Sequence, residues 1–153
     1  MGEFERESLC RRPDIRGACN RMKVYMREQQ IAEMVEKSQP KEFDQPDEVR
    51  ESPHGRLDLV RIGGVIVARA TLQPGWRWSE DVRPMVNTDS CEAAHFGYQL
   101  SGTMRIPMDD GTEFETHAGD ACLIAPGHDA WVVGDETVVM VDFQGMNTFS
   151  ESA

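Results

Sequence analysis

The chain has 153 residues, enough for one domain with a real hydrophobic core and too few for two. With 39% apolar and 28% charged residues it lies toward the polar end of the globular range, so part of it is expected to bury little. The formal net charge of −11 falls almost wholly on residues 51–153, where 6 Lys and Arg face 16 Asp and Glu, against 10 and 11 in residues 1–50. So acidic a domain repels phosphate backbones and anionic headgroups, which excludes nucleic acid and membrane surfaces as expected partners.

No apolar run reaches the roughly eighteen residues that a bilayer span needs, and the N-terminus MGEFERESLCRRPD lacks the apolar stretch of a secretory signal, so a cytoplasmic location is the expectation. Gly2 is no myristoylation site, because Arg6 stands where Ser or Thr is required. Cys10, Cys19, Cys91 and Cys122 form no CxxC pair and are too sparse for a disulfide scaffold, which favours free thiols in a reducing compartment. Cys122 lies in an apolar run and reads as a small core residue.

Residues 1–20 mix Arg, Glu, Gly, Pro and Cys without a period and are expected to be disordered. From Met22 to Lys37, good helix formers with Val24, Ile31, Met34 and Val35 spaced on one side predict an amphipathic helix that ends at Ser38-Gln39-Pro40. Residues 1–50 are thus an arm, disordered and then helical. Beyond Pro40 the apolar period falls to two, and turn signals recur every eight to twelve residues. This pattern predicts an all-β domain over residues 51–147, with a short tail at 148–153. Strands are expected at Leu57–Ile62, Val65–Leu72, His95–Leu100, Thr103–Met108, Glu113–His117, Ala121–Ile124, Ala130–Val133 and Val138–Phe143. Asp110-Gly111 supplies the tight hairpin turn between two of them, and its Asp109-Asp110 carboxylates are expected to face solvent.

Two segments carry a resemblance. His95-Phe-Gly-Tyr-Gln-Leu-Ser-Gly102 is similar to the end of the first cupin motif, G(X)5HXH(X)3–4E(X)6G. Gly119-Asp-Ala-Cys-Leu-Ile-Ala-Pro-Gly127 is similar to the start of the second, G(X)5PXG(X)2H(X)3N. Sixteen residues separate Gly102 from Gly119, and the resemblance spans about residues 55–145. It implies a cupin-type antiparallel β-barrel, or jelly roll, with the N-terminal arm added. Cupins commonly hold a metal through the HXH pair, the Glu and the second-motif His. In this chain the Glu position is His95, the last His position is Ala130 with His128 in the loop before it, and the HXH pair has its counterpart in Trp76-Arg77-Trp78. None of the four positions keeps its usual residue.

Strand alternation predicts that if His95 points inward, Gly97 and Gln99 do too, with Phe96, Tyr98 and Leu100 on the opposite face. Ala130 and Val132 share a face by the same rule. With Trp76 and Trp78 this describes an aromatic, mostly apolar cavity around one imidazole and one amide, suited to a small organic ligand. The two tryptophans can equally be interior filling. The first functional expectation is therefore a small-molecule-binding protein centred on His95, with Trp76, Trp78, Gln99 and Tyr98 as ligand contacts. The alternative is an enzyme of the oxygenase, isomerase or lyase class. It would use His95 as acid or base, with Asp142, Glu92 or Tyr98 to orient it, or a divalent transition metal on a site rebuilt from Cys91, His95 and His128 with Glu92 or Asp129. Cys91 and His95, four residues apart, are spaced acceptably for chelation on a helix or loop but would lie about 13 Å apart on one strand. His54 and His117 are expected at the surface. The resemblance also implies a homodimer, in which barrel edges pair or exchange an N-terminal strand, with Lys41–Arg50 as the segment able to supply that strand and cover an exposed sheet edge.

Overall fold

The structure is a computed structural model and describes residues 39–144. The expected arm helix, the disordered start, Cys10, Cys19 and the tail lie outside the described residues. Among the described residues nine strands form: β1 Glu48–Ser52, β2 Gly55–Ile62, β3 Val65–Leu72, β4 His95–Ser101, β5 Thr103–Pro107, β6 Glu113–His117, β7 Ala121–Ile124, β8 Trp131–Val133 and β9 Val138–Asp142. They make a six-stranded sheet in the order β1-β2-β3-β9-β4-β7 and a three-stranded sheet in the order β6-β5-β8, and every pairing is antiparallel. The expected all-β jelly roll is what forms. Eight of its strands lie where the apolar alternation put them, within one or two residues at the ends.

The ninth, β1, pairs with β2 of the same chain from Glu48↔Leu59 to Ser52↔Gly55. The β-domain therefore starts before residue 51, the expected boundary. Its sequence EVRES is mostly charged and carries no apolar alternation, because an edge strand needs its backbone for pairing and its side chains for solvent.

The core lies between the sheets. Leu72, Ile124, Val138 and Met140 of the large sheet pack with Met104, Ile106 and Val132 of the small one, and Trp76 and Trp78 fill the space at their side. Leu59, Ile106 and Val138 are wholly buried. Gly102 links β4 to β5 at φ +72°, where a side chain would meet Val138 and the Thr137 carbonyl. Only a glycine lets the chain cross from one sheet to the other so close to β9. Gly111, at φ +87°, closes the β5–β6 hairpin, with Asp110 Oδ1 accepting from the Thr112 N–H at 2.8 Å.

The long connection from β3 to β4 is what shapes the functional region. It contains one π-type turn at Trp78–Val82 and one 3-10 turn at Arg83–Met85, too short for a helical period to show in the sequence. Two carboxylates pin it. Asp129 accepts from the Ser79 hydroxyl at 2.8 Å, the Ser79 N–H at 3.0 Å and Arg77 Nε at 3.2 Å. Asp81 is paired with His54 at 3.0 Å. The Arg77 guanidinium also stacks 4.4 Å from the Trp131 ring centroid.

Candidate metal and ligand site

Cys91, His95 and His128 come together at one point inside the domain, with their ligand atoms within 4.8 Å of one another. Each arrives by a different route. His95 is the first residue of β4, and alternation turns it inward as expected. Cys91 precedes the strand, and the irregular Glu92–Ala94 segment folds it back so that Sγ lies 3.5 Å from His95 Nε2. Those intervening residues resolve the strand-length objection. Cys91 and His128 are held together by their backbones: the Cys91 N–H donates to the His128 carbonyl and the Gly127 N–H to the Cys91 carbonyl, both at 2.8 Å.

The ring tautomers follow from the hydrogen bonds. His95 Nδ1 lies 2.5 Å from the buried Asp142 carboxylate, and His128 Nδ1 lies 2.7 Å from the Ala125 carbonyl. Neither a carbonyl nor a carboxylate can donate, so both Nδ1 atoms carry the proton and both Nε2 atoms remain for another partner. Of the three orienting groups the sequence offered for His95, Asp142 is the one in contact. Glu92 is exposed, and Tyr98 is on the far side of β4.

Burial alone would raise the Cys91 thiol, but hydrogen bonds with His128 and His95 outweigh it and draw the thiol down to about 6. Burial likewise opposes charge on His95, yet Asp142 and Cys91 hold its imidazole up at about 9. Each group thus favours the charged form of the other through their shared contact.

The cluster opens on a cavity of about 470 Å³. Its walls are mostly apolar, with Leu72, Trp76, Trp78, Val82, Met104 and Met140 among them, but Glu48, Arg50, Glu51, Arg56 and Arg61 of β1 and β2 line it as well. Ala68 and Ala70 of β3 keep one wall thin, since neither fills the space that a larger side chain would take. Trp76 and Trp78 belong to the core cluster and also line the cavity.

Two expected ligand contacts are not in the site. Tyr98 lies on the outer face of β4, 43% exposed, as the alternation itself requires when His95 faces inward. Gln99 faces inward but is used up. Its Nε2 donates to the carbonyls of Gly102 and Thr116 at 2.8 and 3.2 Å, and its Oε1 accepts from the Thr116 hydroxyl at 2.6 Å. Gln99 ties β4, the turn at Gly102 and β6 together. Gln99→Ala is expected to lower stability by on the order of 2–3 kcal/mol, by leaving buried polar groups without partners, and to leave metal content unchanged. A urea melt with elemental analysis on the same sample checks both. Asp129, proposed as a further ligand, is committed to Ser79 and Arg77 instead. His54 and His117 are half exposed, as expected.

The residues fit a transition metal. With ordinary zinc bond lengths, a tetrahedral centre sets a sulfur and a nitrogen ligand about 3.5 Å apart, the separation of Cys91 Sγ and His95 Nε2. Both imidazoles also show the arrangement typical of metal-bound histidine, with the far nitrogen donating to a carboxylate or a backbone carbonyl. One thiolate and two imidazoles suit zinc, copper or iron better than manganese, magnesium or calcium.

No helix among the described residues is long and apolar enough to cross a membrane. No protein-family model and no curated protein matches the chain. Among solved structures it is similar to the S161A mutant of Bacillus subtilis oxalate decarboxylase, with 21% identity and a TM-score of 0.46 over 65% of this chain and 28% of that one. Another structure of that decarboxylase, concerned with its Mn(II) centres, gives 22% identity and a TM-score of 0.47 over 67% of this chain and 28% of that one. A protein of unknown function (DUF1255) from Acidithiobacillus ferrooxidans gives 18% identity and a TM-score of 0.46, over 67% of this chain and 98% of that one. The chain thus spans little more than a quarter of the decarboxylase. By the order and pairing of its own strands, the chain has a cupin-type jelly-roll fold.

Proposed function

We propose that the protein binds a small, largely apolar organic molecule between its sheets, beside a divalent transition metal held by Cys91, His95 and His128. One observation carries this reading: three convergent donor atoms, 4.8 Å apart at most, open on a mostly apolar cavity of about 470 Å³. Three protein ligands leave at least one coordination position for a donor atom of the bound molecule, where the metal would act as a Lewis acid. Asp142 and the Ala125 carbonyl orient the two imidazoles. Trp76 and Trp78 line the cavity, and Ala68 and Ala70, being small, leave room in it for the ligand.

A second reading rests on the contact between His95 and Asp142. In a metal-free chain, a carboxylate-oriented imidazole next to the Cys91 thiolate could move a proton to or from a substrate in the cavity. That would make the protein a metal-independent enzyme of the isomerase or lyase kind.

Elemental analysis of protein purified without an affinity tag separates the two. About one equivalent of zinc, iron or copper per chain is expected. Metal-free protein whose melting temperature does not rise with added Zn(II) would reject the metal centre and leave the acid–base reading.

A further inference from the structure

The strand register carries the floor of the cavity from the metal site to the far edge of the large sheet. Asp142, which orients His95, lies opposite Ala68, Ala68 opposite Leu59, and Leu59 opposite Glu48 of the edge strand β1. The next inward row runs from Met140 through Ala70 and Leu57 to Arg50. Residues opposite each other in a sheet project to the same side, so Glu48 and Arg50 stand on the face that lines the cavity. They are three strand spacings, about 14 Å along the sheet, from β9. The two alanines between them and β9 leave that path open.

The β1 end of this floor is charged, and its charges do not cancel. Glu48 accepts from Arg50 Nε at 2.6 Å and from Arg61 Nη2 at 2.7 Å, so two guanidiniums share one carboxylate. The hydrogen bond from Arg50, with the Arg61 charge nearby, holds the Glu48 carboxyl below its ordinary range. Glu48 is therefore ionised at neutral pH, and the trio keeps one positive charge. The neighbouring acids are engaged elsewhere: Asp47 with Lys41, Glu51 with Arg56, and Asp58 with Arg56 and Arg69. In a chain of net charge −11, a positive group at the open end of an apolar cavity selects for an anion.

We propose that the bound molecule is an elongated amphipathic carboxylate, with its apolar part over Ala68 and Ala70 and its carboxylate held by Arg50 and Arg61. This rests on the reading that the cavity takes a largely apolar organic molecule, and adds to it a charge and an orientation: the carboxylate faces the β1 edge and the other end of the molecule faces the metal site. The planar fork of a guanidinium matches a carboxylate, and Glu48 shows that both forks reach one such group from this face. Arg61 is half exposed and has N–H groups to offer beyond the one that Glu48 takes.

Isothermal titration of the protein as purified with octanoate and with 1-octanol tests this, because the two share a chain and differ in the charged end. Octanoate is expected to bind at least about tenfold more tightly, in line with hydrogen bonds to a charged group. Arg61→Gln is expected to weaken octanoate by about tenfold and to leave 1-octanol unchanged. Glu48→Gln is expected to act in the opposite direction and tighten octanoate, since both guanidiniums lose their internal carboxylate. A merely structural role for the trio would move the two ligands together. Equal binding of the two ligands by the wild type, or a preference for octanoate that neither variant alters, would overturn the proposal and leave the apolar cavity standing. Binding of neither ligand would overturn it together with the cavity reading.

Discussion

Cys91→Ser is expected to weaken Zn(II) and Co(II) binding by at least about 100-fold, since even the loss of a group that merely orients a ligand costs about 10–100-fold. Serine matches the size of cysteine, so the 2%-exposed site is not emptied and the fold is expected to hold. What changes is the donor. The Cys91 thiol is drawn down to about 6 by its two histidine neighbours and is a thiolate at neutral pH, whereas a serine hydroxyl stays protonated and is a poor ligand. Competition titration against a chelator gives the affinity. Co(II) gives a second, independent readout, because the sulfur-to-cobalt absorption of the wild type should vanish in the variant while the melting temperature of the metal-free forms stays close. Equal affinities in the two proteins would remove Cys91 from the site.

Ala70→Phe tests the cavity without touching the metal. Ala70 lies opposite Leu57 and Met140 in the large sheet and lines the cavity, so a phenyl ring there projects into space the ligand is proposed to occupy. Binding of an apolar fluorescent probe such as anilinonaphthalene sulfonate is expected to weaken by about tenfold or more, equivalent to ~1.4 kcal/mol. Metal stoichiometry should be unchanged, and any overpacking is expected to cost about 1–3 kcal/mol in a urea melt. A variant that binds the probe as the wild type does would place the probe outside this cavity. A variant that loses the metal as well would tie the β3 wall to the metal centre rather than to the ligand alone.

What could be read from the sequence was local. Period-two alternation located eight strands and assigned their faces, putting His95, Gly97 and Gln99 inward and Phe96, Tyr98 and Leu100 outward, because a strand sends successive side chains to opposite sides whatever it packs against. Asp110-Gly111 marked its hairpin for the same kind of reason, a backbone preference set by two adjacent residues. The metal site was legible as residue types and not as a constellation. Cys91 and His95 are four residues apart, a separation that gives about 13 Å on a strand, and only the irregular Glu92–Ala94 segment brings their donor atoms to 3.5 Å. His128 and Asp142 come from 33 and 47 residues beyond His95, one delivered by the loop before β8 and the other by β9 lying next to β4. Gln99 faces the interior as alternation requires, but its amide is taken by Gly102 and Thr116 across the turn, so it holds the fold and not a ligand. The sequence by itself determined which residues form strands and which way they face, since those follow from neighbours along the chain. The tertiary structure alone decided which inward side chains meet, because that depends on sheet pairing and on turns that join residues far apart in the sequence.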